Sequence, residues 1–414
     1  MNKESTYHLI VIGSGAAGMI ASIRASRLGK RVLLLEKLSK LGSKLKATGG
    51  GRCNLTNTLH NEEFMAHFGK NGRFMTPALY AFDQEKLRTF FKEIGVESHA
   101  PDGFRVFPIT HNANTILSAL EKEMQKLGVT VHTDSPVDTL HYHDTQITGV
   151  GVGDTSYYAK KVIIATGGLG YPMLGAEGDG YNLASQVGHK TTPLFPAMMP
   201  LQTKEHWGAN CRSDTIAKVT LRIDLPKAKK LRAQGDLIFT KTGIRGPVVL
   251  DFAREVTPLL EKHGEVPLLL NLTKGMNEEQ IRQHLKSQAT KKPQRTISGH
   301  ICTLLPQPLS EELCLLAGID PQKTYAKLSG ANRDALIKLL AWTPLTVTGH
   351  DGFKMAMITR GGISLKEIDP NTMQSKRING LFFCGEVMDL DGPCGGYNLQ
   401  WSFASGYLAG AVAP

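Results

Sequence analysis

Short, almost wholly apolar runs alternate with stretches of helical periodicity through the first third of the chain. That texture belongs to strands buried on both faces and covered by helices. The first apolar run, 8–12, ends at Gly13; an Ala-rich helical stretch, 16–28, stops at Gly29; a second apolar run, 31–35, ends at Glu36. Two strands flanking one helix within about 30 residues form a βαβ unit, which predicts a parallel sheet. Helices are predicted over 84–94 and 114–127, strands over 129–132 and 161–165, and a hairpin from 147–152 and 157–159. The texture changes at Pro193, Pro196 and Pro200. Short alternating runs at 218–224, 236–240, 248–252 and 266–272 then read as a β-rich insert. Helical patterns dominate 277–340, broken by a basic loop at 291–295. After Pro344 strands return at 354–358 and 381–384, and a Gly-rich turn leads into a last helix over 399–411. The expected domains are 1–193 with 344–414, a β-rich insert of 194–275 with roughly 341–350, and a helical subdomain of 276–340.

The turn after the first strand reads Gly13-Ser14-Gly15-Ala16-Ala17-Gly18, a GxGxxG pattern in strand-to-helix context. In such a turn the first glycine permits the tight bend and the second admits a pyrophosphate. The third lets helix and strand pack closely. The helix N-terminus offers unpaired N–H groups and a partial positive charge. Glu36 follows Gly13 by 23 residues and ends the second strand, placed to accept hydrogen bonds from a ribose. Its charge would repel a 2′-phosphate, so the pattern fits FAD or NAD. Three more clusters favour FAD: the run from Leu41 through Lys44 to Gly51, Arg52, Cys53 and Asn54; Thr166-Gly167-Gly168; and Gly385-Glu386 with Gly395-Gly396-Tyr397-Asn398-Leu399. A flavin needs contacts from segments far from the adenosine site, and backbone N–H groups at its N1–C2=O edge stabilise the reduced anion. Lys37, Lys44 and Val137 complete the expected cofactor contacts.

Charge and cysteine content narrow the setting. The 414 residues carry 48 Lys plus Arg against 37 Asp plus Glu, a formal charge of +11, which suits anionic partners. Residues 201–340 hold 22 of those cations and 14 of the carboxylates. Lys227, Lys229, Lys230 and Arg232 form the densest run and are candidate RNA contacts; a solvated face is the competing reading. The 6 cysteines are scattered without a CxxC pair, which argues against a zinc knuckle or redox dithiol and fits a reducing cytosol. No metal site is expected. The longest early apolar stretch, 9–20, is too short to span a bilayer. A soluble cytoplasmic chain is expected.

The segments TGGGRCNLTN, ATGG, FTKTGIRGP and GEVMDLDGPCGGYNLQW closely resemble one family of bacterial flavoproteins. That family includes aminoacetone oxidase, BaiN-type bile-acid reductases and the ribosomal RNA dihydrouridine synthase. The resemblance implies an α/β fold: a two-part Rossmann-like FAD-binding domain with an inserted β-barrel-like domain and a small helical domain. It implies an FAD-dependent oxidoreductase with NAD(P)H as donor. Cys394 stands in the last motif where other members can carry a bulky apolar residue.

Cys53 and Arg52 are the catalytic candidates. A guanidinium beside a thiol lowers its pKa, and Cys53 would give a proton to a carbon beside the flavin; the competing reading is a small buried residue. Arg52 would pair with the pyrophosphate or a substrate anion. Glu386 is expected at the ribityl chain, and Asn398 both at the flavin and as a helix N-cap. His189 is read as complementing a helix dipole, and the Met and aromatic residues between Tyr171 and Met199 as core. The expected reaction is reduction of a conjugated C=C bond by flavin hydride, with a uridine in ribosomal RNA favoured. Enone reduction, amine oxidation and a non-catalytic RNA-binding role are the alternatives.

Overall fold

Leu9–Ile12 is buried along its whole length because it is the central strand of a five-stranded parallel sheet. The order runs Leu381–Phe383, Val162–Ile164, Leu9–Ile12, Val32–Leu35, Thr130–His132. Registers such as Ile10 opposite both Val162 and Leu33 bring the carboxyl ends of neighbouring strands to one edge. Open α/β sheets bind ligands at that edge. The computed structural model describes residues 7–212 and 214–411.

Two compact units result: one holds the chain up to Pro196 and again from Ala356, the other is Ala197–Met355. In the first, the helix Ala16–Arg27 lies against the last helix, Tyr397–Gly410. Their backbones meet because Gly406 and Gly410 face Ala17 and Ala21. A Cβ at either glycine would sit 2.3 or 2.4 Å from a carbonyl oxygen of the first helix. The hairpin at 147–158 is joined by a further strand, Thr139–His143, making three.

The second unit contains a closed antiparallel barrel of six strands and a group of helices between residues 278 and 341. In the barrel strand Thr215–Ile223, Ile216, Val219, Leu221 and Ile223 point inward. A bulge between Ile216 and Val219 keeps that alternation, with Lys218 at φ 56° and its N–H donated to Asp236 at 3.1 Å.

Several expectations change. Residues 248–252 are helix, not strand: Pro247–His263 is a 17-residue helix with Pro247 in its first turn, where a missing N–H costs nothing. Its buried Val248, Val249, Phe252, Val256 and Leu260 follow helical spacing. Residues 352–354 form a single 3-10 turn and the strand expected at 354–358 is Ile358–Arg360. The strand Thr343–His350 closes the barrel, so the first unit resumes at Ala356 rather than 344. His189 caps no dipole: its buried ring meets Glu367 at 3.1 Å and Ser375 at 2.7 Å. Met173, read as core, is exposed.

Candidate dinucleotide and active site

The edge where Leu9–Ile12 and Val162–Ile164 end opens into a cleft enclosing about 1310 Å³ of space, part of it continuous with solvent. The glycines of the first turn divide its construction. Gly13 takes φ +97°, and a Cβ there would sit 2.7 Å from the Ala165 carbonyl oxygen. A Cβ on Gly18 would sit 1.9 Å from the Gly13 oxygen, so these two glycines are demanded by the protein itself. Gly15 differs: at φ −69° a side chain is allowed, and a Cβ would meet nothing within 4 Å. Gly15 therefore faces free space that the protein does not need. The helix that starts at Ala16 has no side-chain cap, which leaves its first N–H groups for a ligand.

Glu36 is buried at the end of its strand. Its carboxylate accepts from the Ser14 N–H at 2.9 Å, from the Ser14 hydroxyl and from the Leu38 N–H at 2.9 Å. A carboxylate has about four acceptor positions, so one remains for a ribose hydroxyl. Val137 lines the same end of the cleft. Lys37 lines it too, but its ammonium is taken by Glu177 and by Asp179 at 2.6 Å.

The opposite wall comes from distant segments. Lys44, on the short helix Ser43–Ala47, pairs with Glu386 at 2.8 Å. The other Glu386 oxygen accepts from the Thr359 N–H at 2.9 Å. Gly168 makes room for this, since a Cβ there would sit 2.5 Å from the Thr359 hydroxyl and 2.9 Å from Glu386. Thr166, Gly167, Gly385, Asn398 and Leu399 also line the cleft. Asn398 is not an N-cap. Gly396 holds that position at φ 85°, and the Asn398 side chain accepts from Gly392 N–H at 2.8 Å and donates to its carbonyl at 2.9 Å.

Seven expected contacts lie outside the lining: Gly18, Gly51, Arg52, Asn54, Gly168, Gly395 and Gly396. Asn54, with its amide in the orientation that satisfies its partners, accepts from the Gly396 N–H at 2.9 Å. Asn57 donates to the Gly395 carbonyl at 3.0 Å. These residues tie the two Gly-rich loops together. Arg52 is exposed, donates to the Gly49 carbonyl at 3.3 Å and lies 5.4 Å from the centre of the Phe107 ring. Cys53 is fully buried, and burial pushes its thiol up to about 12 against the Thr48 hydrogen bond. Its burial in the core, outside the cleft lining, fits the competing reading of a small packed residue.

The sequence reading missed Ser14, Thr48, Asp179, Thr359, Asp391 and Trp401 in the lining. Ser14 and Thr48 stand inside the glycine motifs, and Asp391 and Trp401 inside the last of the four family-like segments; Asp179 and Thr359 stand in none, and Trp401 reads as core and is buried.

The pattern of the HI0933-like protein Rossmann domain matches residues 7–412. The chain belongs to this family. A 3-dehydro-bile acid delta(4,6)-reductase of Clostridium scindens is 31% identical over 97% of this chain and 98% of its own length. A ribosomal RNA dihydrouridine synthase of Haemophilus influenzae is 31% identical over 96% of each chain. Among solved structures, the open conformation of a flavocytochrome c3 fumarate reductase matches with a TM-score of 0.51 and 18% identity, over 99% of this chain and 78% of that one. A 3-ketosteroid-delta4-(5alpha)-dehydrogenase from Rhodococcus jostii RHA1 matches with a TM-score of 0.50 and 17% identity, over 99% of this chain and 96% of that one. These two likenesses are of fold. The HI0933-like chain is an FAD-dependent oxidoreductase. Its cleft fits FAD, because open space at Gly15 and Gly167 continues from the Glu36 end to a second wall at Lys44, Thr359 and the last helix. The hydroxyl of Thr166 and the indole N–H of Trp401, on two lining residues, are buried without a protein partner. Among the described residues no helix is long and apolar enough to cross a membrane, and no cluster of three metal-ligating side chains occurs.

Proposed function

We propose that this chain reduces a carbon–carbon double bond conjugated to a carbonyl, and that its substrate is a uridine base in ribosomal RNA. The observation that carries the reading is the shared chemistry of two near-full-length relatives, one named for a bile-acid delta(4,6)-reduction and one for dihydrouridine synthesis in ribosomal RNA. Both names describe adding two electrons and two protons' worth of hydrogen across C=C. The excess of cations in residues 201–340 favours the RNA substrate.

FAD held in the cleft would supply hydride chemistry at the electron-poor carbon, with a nicotinamide as the source of electrons. The chain's residues would divide the remaining work. The uncapped N–H groups at Ala16 and Ala17 hold the pyrophosphate, and Glu36 holds the ribose. The Lys44–Glu386 pair fixes the middle of the cleft. The last helix, whose start at Tyr397 also has no side-chain cap, places a partial positive charge where negative charge develops on reduction. Hydride at C6 of uracil and a proton from solvent at C5 would turn the C5=C6 double bond into a single bond, giving dihydrouridine.

A small-molecule enone is the second reading, favoured by the bile-acid reductase at the same 31% identity. Anaerobic reduction by NADH or NADPH should bleach the flavin, and unmodified ribosomal RNA should then restore its colour with formation of dihydrouridine. Restoration by a steroid enone but not by RNA would transfer the assignment to the second reading.

A further inference from the structure

The barrel strands Thr215–Ile223 and Arg232–Phe239 form an antiparallel hairpin whose connecting loop is built from two successive turns. Ala228 accepts and donates in those turns and is 6% exposed, which anchors the loop and leaves Lys227, Lys229 and Lys230 exposed around it. Residues 218–232 contain 6 Lys or Arg and a single carboxylate, Asp224. Among the described residues none of these six side chains has a carboxylate within 4.0 Å, whereas Lys204, Arg282 and Arg377 each do. The one carboxylate nearby on the second strand, Asp236, already accepts the Lys218 N–H. Unpaired surface cations alone describe a solvated face.

A second feature changes that reading. Arg222 and Arg232 stand directly opposite each other across the hairpin, an arrangement that repels unless an anion comes between them. Leu221 and Ile223 fill the barrel interior, so Arg222 projects outward. Its guanidinium lies 4.0 Å from the centre of the Trp342 ring. One face of a planar cation is thus held against an indole. The other face and the N–H edges remain for a ligand. A stacked Arg–Trp pair beside a run of free cations suits a polyanion that also carries flat rings.

We propose that the outer face of this hairpin, with Arg222 and Trp342, binds single-stranded RNA: phosphates on Lys227, Lys229, Lys230 and Arg232, and a base stacked on Arg222. The identity of the polyanion rests on the RNA reading above; the site itself rests on the hairpin.

The test is fluorescence anisotropy with the full-length holoprotein and a labelled single-stranded oligouridylate, titrated at several salt concentrations, with duplex RNA and inorganic polyphosphate as comparators. The single strand should bind more tightly than duplex, whose bases are already stacked. Each phosphate contact contributes a log–log salt slope of about −0.7. Changing Lys227, Lys229, Lys230 and Arg232 to Ala together should weaken binding and flatten the slope by up to about 3. Trp342→Leu should weaken RNA binding roughly 5- to 100-fold, the range of one base-stacking contact. It should leave the salt slope and polyphosphate affinity unchanged. Arg222→Met, which keeps an apolar stem against the indole, should reproduce that loss if Trp342→Leu disturbs the barrel. Flavin content and circular dichroism should match the wild type in every variant used. Unchanged RNA affinity and slope in the quadruple variant, or equal losses for RNA and polyphosphate in the charge-neutral Trp342→Leu, would overturn the site. The two proposals fail separately. RNA that binds this face without reoxidising reduced flavin refutes the reaction and leaves the site. RNA that reoxidises flavin while hairpin variants keep full affinity refutes the site and leaves the reaction.

Discussion

Gly15→Val separates cofactor binding from folding. At φ −69° and ψ −176° the backbone suits a β-branched residue, and a Cβ would meet no atom within 4 Å. The apoprotein should therefore change in stability by no more than about 0.5 kcal/mol, the usual scale for a substitution that disturbs no contact. The two methyl groups would stand in the space before the uncapped N–H groups of Ala16 and Ala17, where the pyrophosphate belongs. Losing two hydrogen bonds to a charged group costs about 3–6 kcal/mol, at about 1.5–3 each. That corresponds to a roughly 10²- to 10⁴-fold weaker FAD complex. The assay is flavin content on purification, FAD affinity by fluorescence titration of apoprotein, and denaturant unfolding of both apoproteins. Gly18→Ala provides the contrast, because its Cβ would lie 1.9 Å from the Gly13 oxygen and should destabilise the fold itself. Full flavin content in Gly15→Val would refute the pyrophosphate placement. An unfolded Gly15→Val apoprotein would refute the claim that the protein leaves this space free.

Glu36→Ala should weaken FAD by about 1–3 kcal/mol, the scale of a hydrogen bond to a charged group, and should also lower apoprotein stability because Ser14 and Leu38 lose their acceptor. Cys53→Ala should leave turnover within a few-fold while costing about 1 kcal/mol of stability; a fall of about 10²–10⁴ with flavin reduction intact would restore Cys53 as the acid. Burial holds the His189 imidazole below its usual value despite Glu367, so the unfolded chain takes the proton first as pH falls. Stability should be flat in this respect above about pH 6.5 and decline below it, by at most about 1.4 kcal/mol per pH unit for one group. His189→Asn should remove that share of the slope between about pH 7 and 5 in denaturant titrations, with the shares of His300 and His350, also lowered by burial, remaining.

The first βαβ unit was legible because three signals coincide there: buried runs, Ala-rich helical spacing and glycines at the turn. The motif assigns its glycines different roles, and their surroundings differ to match: a Cβ would clash at Gly13 and Gly18 and meet nothing within 4 Å at Gly15. Gly13 and Gly18 serve packing, and Gly15 borders open space in the cleft. Residues 248–252 misled because Val248, Val249 and Phe252 favour strands locally, while burial against the barrel puts them on one face of a helix. The role of Gly406 and Gly410 was invisible without knowing which helix they cross. Adjacency along the chain also misled at Arg52 and Cys53. A left-handed turn at Cys53, φ 58°, sends the thiol inward while Arg52 stays exposed over Phe107. Thr359 gave no signal because it enters the cleft from a segment far from the glycine motifs, and Trp401, at the end of the last motif, reads as an ordinary core residue.

Whether a flavin held in this cleft reduces a uridine in ribosomal RNA is read out by a dihydrouridine map of that RNA. RNA would be compared from cells with the gene, without it, and without it but carrying Gly15→Val. Dihydrouridine is expected at a defined position in the first, and unmodified uridine there in the other two. Identical maps in all three would contradict that reading.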